Sequence, residues 1–571
     1  MRHRFLSRSV LIAASLVTLS AWTAGAYADP SGAIPPAPPG PYAVGCNDLA
    51  QDFSRVPPGD SAQNYWEGAP NGSTSRYLTT LLSEPGDSMV VNLAIPNDGG
   101  LYGSFAAQTE PYVVIVCYPT TTANPRPDYP LPTGNVIPHM QRAGDAPIFA
   151  DAAVHYPVLL FSHGLTGSPI SGDYIGALRL FASWGYVVVA PFHGDTRFAN
   201  VKLESFSDDL YALLHIKEFV AMQAVRPLSL SLALDAVLAS PQFAGHVDAG
   251  KVGGFGASLG GESLILMAGA QLTTTVGQSS KQVTYDPRVK AAVGYVPYFG
   301  QDVFPAFGRD QKGLTGVALP FLALSGTADT TAPIGATQKG FGLLTGTRQL
   351  VALTGVEHGF ATAFSDDIFT WSLTFLAGQL SGDPVARAAS ARMTAVAGGG
   401  EDILQTDYIA PSPELAGERI VVEYYNGSLD HYFLTAEPAE AAMLDAGVVV
   451  PGWQRTGFNF KERPAGDPRG VAACRFFGTP GIGPNSHFYT IDAAECAKVR
   501  GNPFWTFESL AFNADAPVAN DCTPDRVPVA RLYNNGMRGQ ASHRYTTSHS
   551  EVRELTQRGW MVEGNVFCAI P

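Results

Sequence analysis

The sequence predicts two parts: an α/β domain built on a central, mostly parallel sheet flanked by helices, then a smaller β-rich domain of three repeats. Three observations carry this. From about Tyr42 to Gln379, short apolar runs without alternation are separated by helix-length stretches, as strands buried on both faces require. Beyond Gly417, aromatic and histidine segments recur at near-constant spacing. The composition, 46% hydrophobic and 15% charged with Gly 60 and Pro 43 in 571 residues, suits a turn-rich globular chain. A formal net charge of −14 argues against nucleic acid, whose binding rests on Lys and Arg neutralising phosphates, and against a polybasic membrane patch.

Residues 1–28 read as a signal peptide outside the fold. Arg2, Arg4 and Arg8 form a positive start, Val10 to Trp22 is uncharged and apolar, and Ala26-Tyr27-Ala28 gives the small-x-small cleavage pattern. The apolar run is short for a bilayer span, and Asp29-Pro30 follows it. Its removal takes three arginines and brings the charge to −17. The expectation is a secreted chain, extracellular or periplasmic, with no stable membrane insertion.

All six cysteines lie beyond that leader, and an even number in an exported chain suggests disulfides. Pairing within each region gives Cys46–Cys117, Cys474–Cys496 and Cys522–Cys568, although the last four alone allow three connectivities. None has the CxxC spacing of a metal or redox site.

The strand series of the first domain, residues 29–394, begins with Val158 to Ser162, ending in His163-Gly164, and Tyr186 to Ala190. Lys251 to Phe255, Val289 to Tyr295, Pro320 to Ser325 and Arg348 to Leu353 follow. Ser171 to Ser183, Ser229 to Ala239 and Glu262 to Ala270 read as helices between them.

Chemistry-bearing residues sit at the ends of these strands. Gly256-Ala257-Ser258-Leu259-Gly260 is a G-x-S-x-G turn between a strand and an apolar helix, a context that exposes the oxygen of Ser258 as a nucleophile. A serine needs a base, and the base an orienting carboxylate. Asp329 follows the strand PFLALS and His358 follows RQLVAL, which makes Asp329 the acid and His358 the base. Asp302 and Asp366 are weaker rivals because neither directly follows a buried strand, and Glu357 is too close along the loop to bond the imidazole beside it. The N–H groups of Leu165, in FSHGLTG, and Leu259 are the expected oxyanion donors. His163 reads as shaping its loop, and His193, in PFHGD, as structural or pocket-lining.

HGLTG, GASLGG, SGTAD and GVEHGF, in that order and spacing, resemble the α/β-hydrolase superfamily. Within it they resemble the branch of dienelactone hydrolases and platelet-activating-factor acetylhydrolases, whose catalytic domain also starts with segments similar to GPYAVGC and CYPT. The resemblance implies the α/β-hydrolase fold and a serine carboxylic-ester hydrolase. It carries over Ser258, Asp329, His358 and the Leu165 and Leu259 amides, with no metal or organic cofactor. The stretch between Asp52 and Ala153 is longer and richer in Pro and Gly than that family's usual entry into the domain. Pocket walls are expected to include Phe198 to Val225.

A Gly- and Pro-rich linker is expected over residues 395–417. In residues 418–571, EYYN with DHYFLT, RFFG with SHFYT and RLYN with SHRYT align as three units, with His431, His487 and His543 spaced 56 and 56 apart. Each unit closes on an aromatic pair seven apart: Trp453/Phe460, Trp505/Phe512 and Trp560/Phe567. A unit reads strand, strand, short helix (Pro438 to Ala446 in the first), strand. Three units would close on a pseudo-threefold axis as a β-trefoil does. This tail resembles repeat modules at the ends of exported bacterial hydrolases, a family without an established activity, and its repeated side chains read as core. The leading expectation is an exported serine esterase or lipase-like enzyme whose substrate is a small-molecule or polymeric ester. The alternatives are a polyester depolymerase whose tail binds a polymer or surface, and a non-catalytic surface-binding protein with a vestigial hydrolase domain.

Overall fold

The computed structural model describes residues 32–47, 89–131, 135–141, 145–171, 174–199, 201, 206–301, 304–448, 450–537 and 541–571. The leader read in residues 1–28, the Asp52–Ala153 stretch up to residue 88, and Asp302 lie outside them.

Ten strands form the large sheet: β1 (Ala43–Cys46), β2 (Met89–Ala94), β3 (Thr109–Thr120), β4 (Tyr156–Ser162), β5 (Val187–Pro191), β6 (Val247–Ala257), β7 (Val289–Tyr295), β8 (Phe321–Gly326), β9 (Arg348–Leu353) and β10 (Asp402–Tyr408). Their spatial order is β10-β9-β8-β7-β6-β4-β5-β3-β1, with β2 also paired to β3. The six neighbouring strands β9-β8-β7-β6-β4-β5 run parallel. The flanks β3, β1 and β2 on one side and β10 on the other are antiparallel. Apolar runs without alternation follow from burial on both faces. Along β5, Val187 and Val189 enter one core while Val188 and Ala190 enter the other.

The longer helices are α1 (Tyr174–Ser183), α2 (Phe206–Leu214), α3 (Ile216–Ala239), α4 (Leu259–Met267), α5 (Ile334–Phe341), α6 (Ser365–Leu380) and α7 (Pro384–Arg392). Residues of α3, α4 and α5 fill one core and those of α1 and α6 the other. The helix expected over Ser229–Ala239 starts thirteen residues earlier and carries Pro227 inside it. By length and composition α3 could cross a membrane, yet 72% of its apolar window is buried inside the protein, the mark of a core helix.

Residues 395–417, expected as a linker, differ from that reading. Ala395–Val396 pairs with Ala33–Ile34, and β10 closes the edge of the sheet against β9. The polar alternation of β10 suits an antiparallel edge strand.

Beyond β10, three units repeat one plan. The first has β11 (Arg419–Asn426), β12 (His431–Thr435), α8 (Pro438–Ala446) and β13 (Trp453–Pro464). The second has β14 (Val471–Gly478), β15 (His487–Thr490), α9 (Ala493–Arg500) and β16 (Trp505–Ala514). The third has β17 (Val527–Tyr533), β18 (His543–Thr546), α10 (His549–Gln557) and β19 (Met561–Ala569). In each, the first strand lies between the second and the last. Their last strands meet through Arg463↔Asn513, Asp515↔Cys568 and Lys461↔Ile570, so the ring closes. Phe460, Phe512 and Phe567 fill its centre with Val421, Ala473 and Val529.

Strand register corrects the histidine alignment. His487 and His543 face Phe477 and Tyr533, whose counterpart in the first unit is Tyr425, and Tyr425 faces Tyr432. His431 is one position earlier, so the equal spacing of the three histidines does not mark equivalent places.

Two junctions of the ring share one construction. Arg475 of the second unit lies over Phe433 of the first and pairs with Glu440 at 2.8 Å. Arg531 of the third lies over Phe488 of the second and pairs with Glu495 at 2.9 Å. At the third junction the signs change places: Glu423 stands where the arginines stand, and Arg544 stands where the phenylalanines stand. Arg544 bonds Glu423 at 2.9 and 3.0 Å and also pairs with Glu551, the counterpart of Glu440 and Glu495.

Disulfides join Cys46 to Cys117, Cys474 to Cys496 and Cys522 to Cys568, consistent with an oxidising compartment. The first clamps β1 to β3 at a directly paired position.

Candidate functional site

β6 ends in the GFGASLGG turn, and α4 starts immediately after Ser258. Ser258 has φ 53° and ψ −120°, a conformation that a non-glycine residue keeps only when its surroundings hold it there. The glycines explain how. A Cβ on Gly260 would lie 1.9 Å from the Ser162 carbonyl oxygen, and one on Gly256 would lie 2.3 Å from the Gly260 backbone. Strand, turn and helix therefore approach more closely than any other residue type allows. The Ser258 N–H donates to Tyr295 O at 2.9 Å.

β8 and β9 deliver the other two groups. His358 Nε2 lies 2.9 Å from Ser258 Oγ, and His358 Nδ1 lies 2.8 Å from Asp329 Oδ2. Asp329 Oδ1 accepts from the N–H groups of Thr331 and Ala332 at 2.9 and 2.8 Å, so the carboxylate is fixed at both oxygens. The Asp329 side chain is fully buried, while His358 is 23% exposed. Tyr295, at the end of β7, ties the serine to the histidine loop: its hydroxyl donates to Gly359 O and accepts from Ala361 N–H. Glu357 is exposed. Asp366 stands in the first turn of α6, and the imidazole bonds Asp329.

Leu259 is the first residue of α4, where an N–H has no intrahelical acceptor. Leu165 adjoins Gly164, and a Cβ on Gly164 would lie 3.6 Å from Ser258 Cβ. The turn and the serine are thus neighbours across the sheet end. The hydroxyl, imidazole and carboxylate form one hydrogen-bonded chain, the arrangement that nucleophilic acyl transfer needs.

His163 and His193 lie behind the turn, both buried. His163 Nε2 accepts from the His193 N–H at 3.1 Å and its Nδ1 bonds Gly164 O at 2.8 Å. Burial and the Arg226 charge push His163 down to about 4, so it is neutral at pH 7. His193 bridges Ser162 Oγ and Ser229 Oγ at 2.8 and 3.0 Å, and the same two causes hold it well below the usual histidine range. Phe198–Val225, expected to wall the pocket, covers α2 and the first half of α3, with residues 200 and 202–205 outside the described ones.

Sequence reasoning missed Tyr295, Asp195 and Arg226. A signal for the last was present: Arg226 is the lone charge between Glu218 and Asp235, and a charge inside an apolar helix needs a buried partner. Among the described residues, no group of three or more His, Cys, Asp or Glu is arranged to hold a metal ion.

Residues 409–570, the three-unit ring, match a family described as a domain of unknown function (DUF5648). No curated protein matches the chain.

Proposed function

We propose that the protein is an exported serine carboxylic-ester hydrolase of the α/β-hydrolase fold, acting through Ser258, His358 and Asp329. The observation that carries the reading is the pair of hydrogen bonds from Ser258 Oγ to His358 Nε2 and from His358 Nδ1 to Asp329 Oδ2. The order of parallel strands supports it, with the nucleophile after β6, the acid after β8 and the base after β9. Export is supported by the basic-apolar leader and by three disulfides.

In this reading His358 takes the Ser258 proton as Oγ attacks the ester carbonyl. The Leu165 and Leu259 amides hold the resulting oxyanion, and Asp329 stabilises the imidazolium. His358 then protonates the leaving alcohol, and water repeats the sequence on the acyl-enzyme. The test is hydrolysis of p-nitrophenyl esters by the purified protein. Ser258→Ala should lower turnover by about 10⁶, as loss of a nucleophile does in other serine hydrolases. Equal rates for the two proteins would overturn the reading and favour a binding protein with a vestigial site.

A further inference from the structure

Beneath the turn that carries Leu165 lies an ion pair with no exposure at Arg226 and 1% at Asp195. Arg226, on α3, donates from Nε to Asp195 Oδ1 at 2.8 Å and from Nη2 to Asp195 Oδ2 at 2.7 Å. The same guanidinium reaches the turn, donating from Nη1 to His163 O at 2.8 Å and from Nη2 to Gly164 O at 3.0 Å. Asp195 Oδ2 accepts from the Thr166 N–H at 2.8 Å. Burial alone would raise the Asp195 carboxyl, but the Arg226 charge and hydrogen bonds outweigh it and hold Asp195 below the usual carboxylate range.

Peptide geometry gives this contact a consequence. Gly164 O and the Leu165 N–H belong to one trans peptide unit and point in opposite directions. A donor that grips Gly164 O therefore fixes the Leu165 N–H on the opposite side of the peptide. Rotating that peptide would remove the oxyanion donor and break the Arg226 bond together. Thr166, the next residue, has φ +59°, costly for a β-branched side chain, and its N–H is the one Asp195 holds. The buried pair thus holds both peptides that follow Gly164, and on Gly164 O it acts beside His163 Nδ1 at 2.8 Å and the Gly167 N–H at 3.2 Å.

We propose that Arg226 and Asp195 are positioning residues for the oxyanion hole, locking the Gly164–Leu165 peptide so that the Leu165 N–H faces the developing oxyanion. The proposal rests on the ester-hydrolase reading. It separates two roles that an ordinary buried ion pair combines, because replacing such a pair by apolar residues of similar volume commonly leaves stability unchanged or raised. The decisive variant is therefore the double substitution Arg226→Met with Asp195→Leu. Asp195→Asn and Arg226→Lys, which keep more of the native shape, serve as second variants.

Each variant is assayed on a p-nitrophenyl ester and on the matching thionoester, with reactive sites counted by fluorophosphonate labelling and stability measured by thermal unfolding. A sulfur anion accepts hydrogen bonds weakly, so the ester-to-thionoester rate ratio reports on the donors. The double variant should fold and keep its KM, while kcat per reactive site falls about 10²-fold, as loss of one donor does elsewhere. Its ester-to-thionoester ratio should fall with kcat, and Arg226→Lys and Asp195→Asn should move in the same direction by less. Arg544→Lys, at a buried arginine of the tail, should leave kcat and the ratio unchanged. An unchanged kcat, or a fall in kcat with an unchanged ratio, in any folded variant would overturn the proposal. If Ser258→Ala instead proved as active as the wild type, the hydrolase reading itself would fail, which is a distinct result.

Discussion

At the scale of single residues, Glu262 is the least comfortable group near Ser258. It sits in the first turn of α4, and its Oε1 accepts from Gln223 Nε2 at 2.8 Å, while Oε2 has no partner. Burial raises the carboxyl from its ordinary 4.5 to about 8. A raised value in the folded state means that the stability it confers is complete at acid pH and is lost as pH rises through about 8. Between pH 5 and 8 the loss should approach about 1.4 kcal/mol per pH unit. Glu262→Gln removes the titration and keeps the shape. Thermal unfolding across that range should show the variant gaining on the wild type toward pH 8, and parallel curves would refute the assignment. The three side chains of the candidate site were legible because each stands just past a buried apolar run. Arg226 stands out as a lone charge in an apolar helix, but its partner Asp195 does not, because the link crosses from a helix to a loop 31 positions away and no local pattern encodes it.

At the scale of elements, the joint between the sheet and the tail is made by β10 and α10. Asp407 on β10 caps α10 from outside the ring: Oδ1 accepts from Ser548 Oγ and the Ser550 N–H, and Oδ2 from the His549 N–H, all within 2.9 Å. Arg392, at the end of α7, pairs with Asp521, and Ala388 and Ala391 of α7 enter the ring's core. Asp407→Ala should cost about 2–3 kcal/mol, since it strands several donors of a helix start at once. Differential scanning calorimetry should show one unfolding transition splitting into two, with kcat unchanged. The edge strand itself was hidden in the sequence by its polar residues and the glycines before it, which read as linker. α3 was shortened by Pro227, because its middle, buried without a break from Phe219 to Pro227, has no apolar stripe to carry the eye past a proline. Parallel strands were easier, since burial on both faces leaves uninterrupted runs of Val, Leu and Ala.

At the scale of the whole molecule, the exchanged signs at the third junction invite a double-mutant cycle. Glu423→Arg alone would set two buried arginines together, and Arg544→Phe alone would leave Glu423 facing Glu551. Each should cost about 3–5 kcal/mol. The two together recreate the construction at the other junctions and should recover most of that loss, as measured by denaturant unfolding; additive losses would show that the junctions are not equivalent.

The exchange has a further consequence for how copies of this chain behave beside one another. Head-to-tail contacts, if all alike, would let a unit from one molecule continue the ring of another without end, and such contacts can build fibres. With one contact of opposite polarity, the first unit fits only behind a third, and the first and third that find each other soonest are those joined by a single chain. Closure thus becomes private to each molecule, and a crowded solution can hold many copies without threading them together.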